Sequence, residues 1–467
     1  MQEPLNLSHA FSRRTFLAGS PAAAAAAGLA PAAGARKPNF IIFLCDDLGS
    51  HDLGCQGATD TKTPNIDALA KSGARFTDWY SNAPVCAPSR GALMTGRYPQ
   101  RNGVVNNGIA LKPSEKTIAE VLKPAGYATA ALGKWHLGGT PDTVPNAHGF
   151  DYYFGFHDGC TDYYSHRFYW GEPRRVNFHD LWRNREEVFE DGQYLTELLA
   201  KEARGFIDSH RNEPFFLYVP FNAVHYPMHA PRKYVERFPD LGQERQMYAA
   251  MLSAADDAVG AIMGDVKRHG LLDHTLVFFT ADNGATTEAR AGLNQKTATA
   301  GSNGRLRGYK FSLFDGGMRM PAIMSWPGVI PGGQTIHDIG MHMDILPTFA
   351  AAAGASPPGD RTIDGKDVLA MAKGEAKSPH KAIFWSSGGQ LAARRDYWKL
   401  VIDGKTFDGT PQGREALKGE DSRFLSNLDD DIGEKRNRRG ENEGLVRDLE
   451  TETRDWLSRC ERDEKLR

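Results

Sequence analysis

Unbroken apolar runs, each closed by polar or charged residues, punctuate this 467-residue chain. The first, "FIIFLC", covers Phe40–Cys45 and stops at Asp46-Asp47. Others are "YATAALGKWH", "PFFLYVPFNAVH", "HTLVFFTADNG" and, after residue 320, "PAIMSWPG". Runs of this kind, apolar without alternation, predict strands buried on both faces. Helix-like segments lie between them, such as "TPNIDALAKSG" and "DGQYLTELLAKEARGFIDSH". Strand, helix, strand with apolar strands predicts an α/β fold: a large mixed, mainly parallel sheet sandwiched by helices.

The pattern changes in "AAGASPPGDRTIDGKDV", where Pro357 and Pro358 stand among several glycines. Beyond it, "KAIFWSS", "QLAARR" and "YWKLVI" follow one another with little between, the spacing of an antiparallel meander. A charged helix is expected from Glu443 to Arg459, while "DDDIGEKRNRRGENE" reads as solvated surface. This predicts a main domain over residues 36–355 and a smaller C-terminal antiparallel-sheet α+β subdomain over 356–467.

Residues 1–35 stand apart. Arg13 and Arg14 are adjacent, a weakly apolar alanine tract follows, and Ala33-Gly34-Ala35 suits a signal peptidase. The segment reads as a twin-arginine-type signal peptide. The mature chain would begin near Arg36 and work in the periplasm or outside the cell. Pro21, Pro31 and low hydrophobicity weigh against a membrane span. The balance of 40% hydrophobic and 24% charged residues, with net charge −2, is that of an ordinary globular protein and disfavours a nucleic-acid binder. Five cysteines cannot all pair.

In an open α/β sheet, ligands bind beyond the carboxyl ends of the strands, so the residues that close the apolar runs carry the functional signal. Asp46 and Asp47 close the first, Asp282 and Asn283 close "TLVFFTA", Lys134 and His136 close "ATAALG", and His225 closes "FFLYVPFNAV". Asp46, Asp47, Asp282 and Asn283 offer only oxygen, a poor match for zinc and a good one for a hard cation, calcium ahead of magnesium. Lys134 and His136 are two apart and would share a face of an extended chain. With a divalent cation among three carboxylates, an anionic substrate needs further positive groups, which Lys134, Lys310, Arg90 and a histidine would supply.

Cys86 opens "CAPSRGALMTGR", a helix entry with Pro88 in the first turn. The positive end of a helix and Arg90 one turn on would favour an anion there. Two readings of the residue remain at this point: a buried apolar cysteine, or a thiolate whose pKa these surroundings lower.

The chain resembles the type I, formylglycine-dependent sulfatases of the alkaline-phosphatase-like superfamily from about residue 38 to about residue 437. The signature Cys-x-Pro-Ser-Arg stands as Cys86-Ala87-Pro88-Ser89-Arg90, and Gly-Lys-Trp-His-Leu-Gly is intact at residues 133–138. "FIIFLCDDLG", "TADNG", "LRGYKFSLFDGGMRMP", "MDILPTFAAAAGA" and "LSNLDDDIGEKRN" also match family segments, in order. The resemblance implies that a maturation enzyme oxidises Cys86 to Cα-formylglycine. A hydroxyl of the hydrated aldehyde, deprotonated with help from Asp282, attacks sulfur, the alcohol leaves, and the sulfate ester on residue 86 collapses as the second hydroxyl loses its proton to His136. It further implies that Arg90 and Lys134 hold formylglycine, that His225 and Lys310 bind sulfate and either one protonates the leaving oxygen, and that Asp46, Asp47, Asp282 and Asn283 hold one calcium ion.

Two other functions are compatible with the same residues. One is a formylglycine-dependent phosphonate or phosphodiester hydrolase; a two-zinc phosphatase is disfavoured because asparagine, not histidine, follows Asp282. The other is an exported glycan-binding protein in which Cys86 stays unconverted. The aromatic- and arginine-rich stretch from His148 to Asn184 fits recognition of a sulfated polysaccharide or its oligosaccharides, and equally fits simple packing.

Overall fold

Asn39–Cys45 forms strand β1, and all seven of its residues are buried. The structure, a computed structural model, describes residues 36–169, 177–289, 291–293 and 296–465; the expected export segment at 1–35 lies outside the described residues. Side chains of β1 alternate between two cores, as strand geometry demands. Ile41, Phe43 and Cys45 enter one, Phe40, Ile42 and Leu44 the other. Each large apolar side chain taken out of water contributes about 1.5–3 kcal/mol, so an edge position would waste this strand.

The remaining strands of the large sheet are β2 (Ala74–Tyr80), β3 (Ala128–Lys134), β4 (Tyr152–Phe156), β5 (Trp182–Arg183) and β6 (Glu186–Glu187). To these the later chain adds β7 (Phe215–Pro220), β8 (Thr275–Ala281), β9 (Arg319–Ser325), β10 (Gln334–Ile336) and β11 (Gly340–Met341). The order is β10-β2-β9-β8-β1-β7-β3-β4-β5-β6, with β11 also beside β2. From β8 to β4 every pairing is parallel, while β9 is antiparallel to both β8 and β2. The central strands β8, β1, β7 and β3 therefore deliver their carboxyl ends to one edge.

Helices cover both faces. On the first lie α1 (Pro64–Ser72), α3 (Leu195–His210) and α4 (Gln243–Arg268), through residues such as Leu69, Leu199 and Met251. On the second lie α2 (Cys86–Thr95) and α5 (Ile345–Ala353), through Leu93, Met94, Ile345 and Phe349. Among the described residues no helix is long and apolar enough to cross a membrane.

The second sheet is β12 (Ile383–Ser387), β13 (Gln390–Arg395), β14 (Trp398–Ile402) and β15 (Arg423–Asn427), antiparallel throughout and in chain order. Helix α6 (Glu443–Lys465) lies on it, and its Val446 and Leu449 pack with Leu400 and Leu425. A buried ionic network joins the two sheets. Lys399 Nζ lies 2.6 Å from Asp315 Oδ1 and 3.2 Å from Glu434 Oε1, while Arg394 Nη1 lies 2.6 Å from Asp78 Oδ1. Arg319 bridges Asp78 and Asp315 at 2.9 and 3.2 Å.

Candidate active site

The in-register pairing of β1 with β8 sets Cys45 beside Ala281, so the residues that follow, Asp46 and Asp282, emerge side by side. Asp47 has a left-handed backbone (φ 57°), which turns the chain back, and its N–H donates to Asp282 Oδ1 at 3.2 Å. Asn283 Nδ2 donates to Asp47 Oδ1 at 2.7 Å. Asp46, Asp47 and Asp282 together with Cys86 each bring a ligand-type atom within 4.8 Å of the others, all buried. The structure thus gathers Asp46, Asp47, Asp282 and Cys86 at one place, with Asn283 bonded to Asp47 beside them.

The positive groups close around them. Lys134, the last residue of β3, places Nζ 2.6 Å from Asp46 Oδ2. Arg90, one turn into α2, places Nη2 2.8 Å from Asp282 Oδ2 and 3.6 Å from Asp46 Oδ2. Lys310 Nζ lies 3.0 Å from Asp47 Oδ2. His225 Nε2 lies 3.7 Å from the same oxygen, and its Nδ1 is 2.7 Å from the carbonyl of Tyr226. A carbonyl only accepts, so Nδ1 carries a proton and the neutral ring presents bare Nε2. His136 arrives differently from the shared-face expectation. It lies beyond the strand with φ 56°, so a turn and not strand alternation sets its direction. Gly159 lies flat against its imidazole: a Cβ there would sit 2.7 Å from Nε2.

The electrostatics correct one sequence reading. Burial pushes the Cys86 thiol well above the ordinary range, and the opposing pull of Lys134 and Lys310 does not offset it. Cys86 is therefore no thiolate, because desolvation at a wholly buried helix start outweighs the helix dipole and nearby charge. Its Sγ lies 3.6 Å from Asp46 Oδ1, the geometry of a thiol donating to a carboxylate. Asp46 is held below the usual carboxylate range: burial raises it, but Lys134, Arg90 and Lys310 together win. Asp47 goes the other way, pushed up to about 7 by burial against the pull of Lys310. Burial pushes His136 and His225 well below the imidazole range, aided in both by Lys134, so both rings are neutral.

These residues fit a hard cation. Asn283 is fully buried, its amide nitrogen is engaged, and its Oδ1 has no hydrogen-bond partner. An orphaned buried oxygen costs about 1–3 kcal/mol unless something claims it. Three carboxylate side chains and that amide oxygen form an all-oxygen set suited to calcium and unsuited to zinc.

One participant was not legible beforehand. Glu288, in the loop after β8, sets Oε2 2.9 Å from Lys310 Nζ and lies within the same 4.8 Å reach of Asp47 and His225. Its only sequence signal is position, five residues after Asn283 in an irregular stretch. The aromatic-rich stretch is answered in part: Phe150, Tyr153, Phe154, Phe156 and Tyr163 are buried core residues, and Trp170–Val176 lie outside the described residues. All five cysteines are unpaired.

Comparison with known proteins places this arrangement. The sulfatase family's sequence model matches residues 38–355. N-acetylgalactosamine-6-sulfatase of Mus musculus is 37% identical over 393 residues, 79% of this chain and 72% of that protein. Arylsulfatase A of Bos taurus is 36% identical over 458 residues, covering 89% of this chain and 85% of its own. The crystal structure of Ps i-CgsB in complex with k-i-k-neocarrahexaose superposes with a TM-score of 0.78 at 34% identity, over 90% of this chain and 93% of that one. By the match of the family model, the identity to these relatives and a shared fold of one large mixed sheet and a separate four-stranded sheet, this chain is an enzyme of the sulfatase family, within the alkaline-phosphatase-like superfamily.

Proposed function

We propose that the enzyme hydrolyses sulfate monoesters of a sulfated carbohydrate, with Cys86 matured to formylglycine by a dedicated enzyme and one calcium ion held by Asp46, Asp47, Asp282 and Asn283. The observation that carries this reading is the meeting of Cys86 with three buried carboxylates inside a ring of Arg90, Lys134, Lys310 and His225. Relatives named for N-acetylgalactosamine 6-sulfate and a fold neighbour solved with a carrageenan oligosaccharide support the carbohydrate class. The twin-arginine-type segment supports work in the periplasm or outside the cell.

When present, calcium supplies charge that stabilises developing negative oxygens, and formylglycine supplies a nucleophilic oxygen that a thiol lacks. The chain's own residues do the rest. Arg90 and Lys134 neutralise Asp282 and Asp46 and fix the direction of residue 86. Lys310 faces the sulfate as a protonated donor. His225 in its neutral form accepts through Nε2, so the proton for the leaving oxygen comes from Lys310 or from a His225 that has first gained one. Neutral His136 is able to take a proton in the breakdown step. Such preorganised donors are each worth roughly 100- to 1,000-fold in rate.

The test is sulfate release from sulfated N-acetylgalactosamine, neocarrageenan oligosaccharides and an aryl sulfate, set against an aryl phosphodiester and an aryl phosphonate. Sulfate release that Cys86→Ala abolishes supports the proposal. Intact mass of the peptide around Cys86 must show loss of hydrogen sulfide against gain of one oxygen. Faster turnover of the phosphorus esters, or an unmodified Cys86 in a protein that binds glycans without cleaving them, would overturn it.

A further inference from the structure

A cavity of about 990 Å³ opens beside Lys310 and Glu288 and extends to the second sheet. That is the upper end of the range for small-molecule sites. Part of its lining is the loop after β14, which carries Lys405, Phe407 and Arg414. This loop is fastened to the segment bearing Lys310. Buried Gln390, the first residue of β13, accepts from the Lys405 N–H at 2.9 Å and donates to the Phe311 carbonyl at 2.8 Å. Ser312 Oγ donates to the Lys405 carbonyl at 2.6 Å, and the Tyr309 N–H donates to the Thr406 carbonyl at 3.1 Å. The Thr287 hydroxyl donates to the Phe407 carbonyl, tying in the segment that bears Glu288.

The charges on this cavity are uneven. Glu288 is neutralised by Lys310. Lys405 Nζ donates to the Gly388 carbonyl at 3.2 Å. Among the described residues neither Lys405 nor Arg414 is drawn into an ion pair. Against these two cations stands Glu461 of α6, exposed, on the same cavity. Phe311 and Phe407 line the same cavity with ring centroids 5.6 Å apart, and Lys310 Nζ stands over the Phe311 ring, so apolar surface of the kind a sugar ring covers adjoins Lys310.

We infer that Lys405 and Arg414 form a second anion-reading subsite, so that the preferred ligand carries a further sulfate or a carboxylate beyond the ester to be cleaved. The inference rests on the sulfated-carbohydrate reading above and narrows it to polyanionic saccharides. Guanidinium and ammonium groups with no protein carboxylate to satisfy them are free to pair with an anionic ligand, and Arg does so bidentately.

The experiment uses the full chain with Cys86→Ala, so that nothing is turned over, and measures binding by calorimetry. The probes are N-acetylgalactosamine 6-sulfate, N-acetylgalactosamine 4,6-disulfate and a uronate-linked N-acetylgalactosamine 6-sulfate disaccharide. Binding of either or both dianionic probes should be roughly 10- to 100-fold tighter than that of the monosulfate. Adding Lys405→Gln and Arg414→Gln should erase that gain without moving the melting temperature. Arg436→Gln, a surface cation paired with Asp430, should preserve it. The disulfate and the uronate arms separate a second sulfate from a carboxylate. Equal affinity for all three probes, or a gain that survives the double substitution, overturns the inference. If the parent enzyme also releases no sulfate from any ester, the underlying reading falls with it; sulfate release without dianion preference sinks this inference alone.

Discussion

Arg90 grips Asp282 with two nitrogens, Nε at 3.1 Å and Nη2 at 2.8 Å from the same carboxylate oxygen, and solvent reaches neither side chain. Its Nη1 donates to the Lys134 carbonyl at 3.0 Å, so one guanidinium ties α2 to the ends of β8 and β3. Lysine is a point charge and cannot repeat that fork. Arg90→Lys should cost up to about 3–5 kcal/mol of stability, the scale for breaking a buried pair. Sulfate release should fall by at least roughly 100-fold. Denaturant melts and sulfate assays check both; a variant with the parent's rate would remove Arg90 from the machinery.

Calcium should raise the melting temperature and a chelator should lower it. Occupancy at 100 times the dissociation constant corresponds to about 2.7 kcal/mol. Asp282→Asn should abolish most of the response. Asn283→Ala should weaken it, because the orphaned Oδ1 disappears. Melts in calcium, magnesium and chelator, run on the parent and both variants, measure this; identical curves would leave the all-oxygen cluster without its cation.

Gly159→Ala tests His136 without touching it. The new methyl would meet the imidazole at 2.7 Å, while the backbone at Gly159 is not left-handed and accepts alanine. The ring must move. The turnover number should fall by roughly 10- to 100-fold with the calcium-dependent melt shift intact. An unchanged turnover number would mean that the position of this ring is immaterial.

Stability should depend on pH through the joint between the sheets. Burial raises Glu434 to about 7, against the pull of Lys399. Asp315 is held down to about 2: burial raises it, but Lys399, Arg319 and Arg394 prevail. Glu434 binds its proton more tightly folded than unfolded. Its contribution is therefore complete below the unfolded value of 4.5 and is lost as pH rises through about 7. Asp315 has the opposite sign, and its contribution is lost only as pH falls from 3.8 towards about 2. Between these limits Glu434→Gln should flatten the decline by up to about 3 kcal/mol. Urea unfolding of parent and variant from pH 4.5 to 7.5 gives the comparison; parallel curves would contradict it.

The meeting of Asp46 and Asp47 with Asp282 and Asn283 was legible because two unbroken apolar runs each ended in a pair of oxygen-bearing side chains, and β1 and β8 are neighbours in register. The first three strands of the second sheet were legible from their short, closely spaced pattern; β15 follows a long loop after β14, and only the family resemblance of its segment pointed to it. Glu288, Lys405 and Arg414 were not. They sit on irregular loops whose meeting depends on long-range pairings such as Gln390 with Phe311, 79 residues apart, and no local periodicity encodes that. The thiolate reading of Cys86 failed for a related reason: helix position is written in the sequence, but the depth of burial that overrides it is set by the whole fold.

Every residue of α2 from Cys86 to Thr95 is buried, and Cys86 itself is only 1% exposed. No macromolecule can close its own active site around a side chain so placed. Oxidation of Cys86 by another protein, as proposed above, would therefore have to precede the seating of α2. On that proposal a chain that folded first would keep its thiol, and the fraction of competent enzyme in a preparation would record a race between modification and folding.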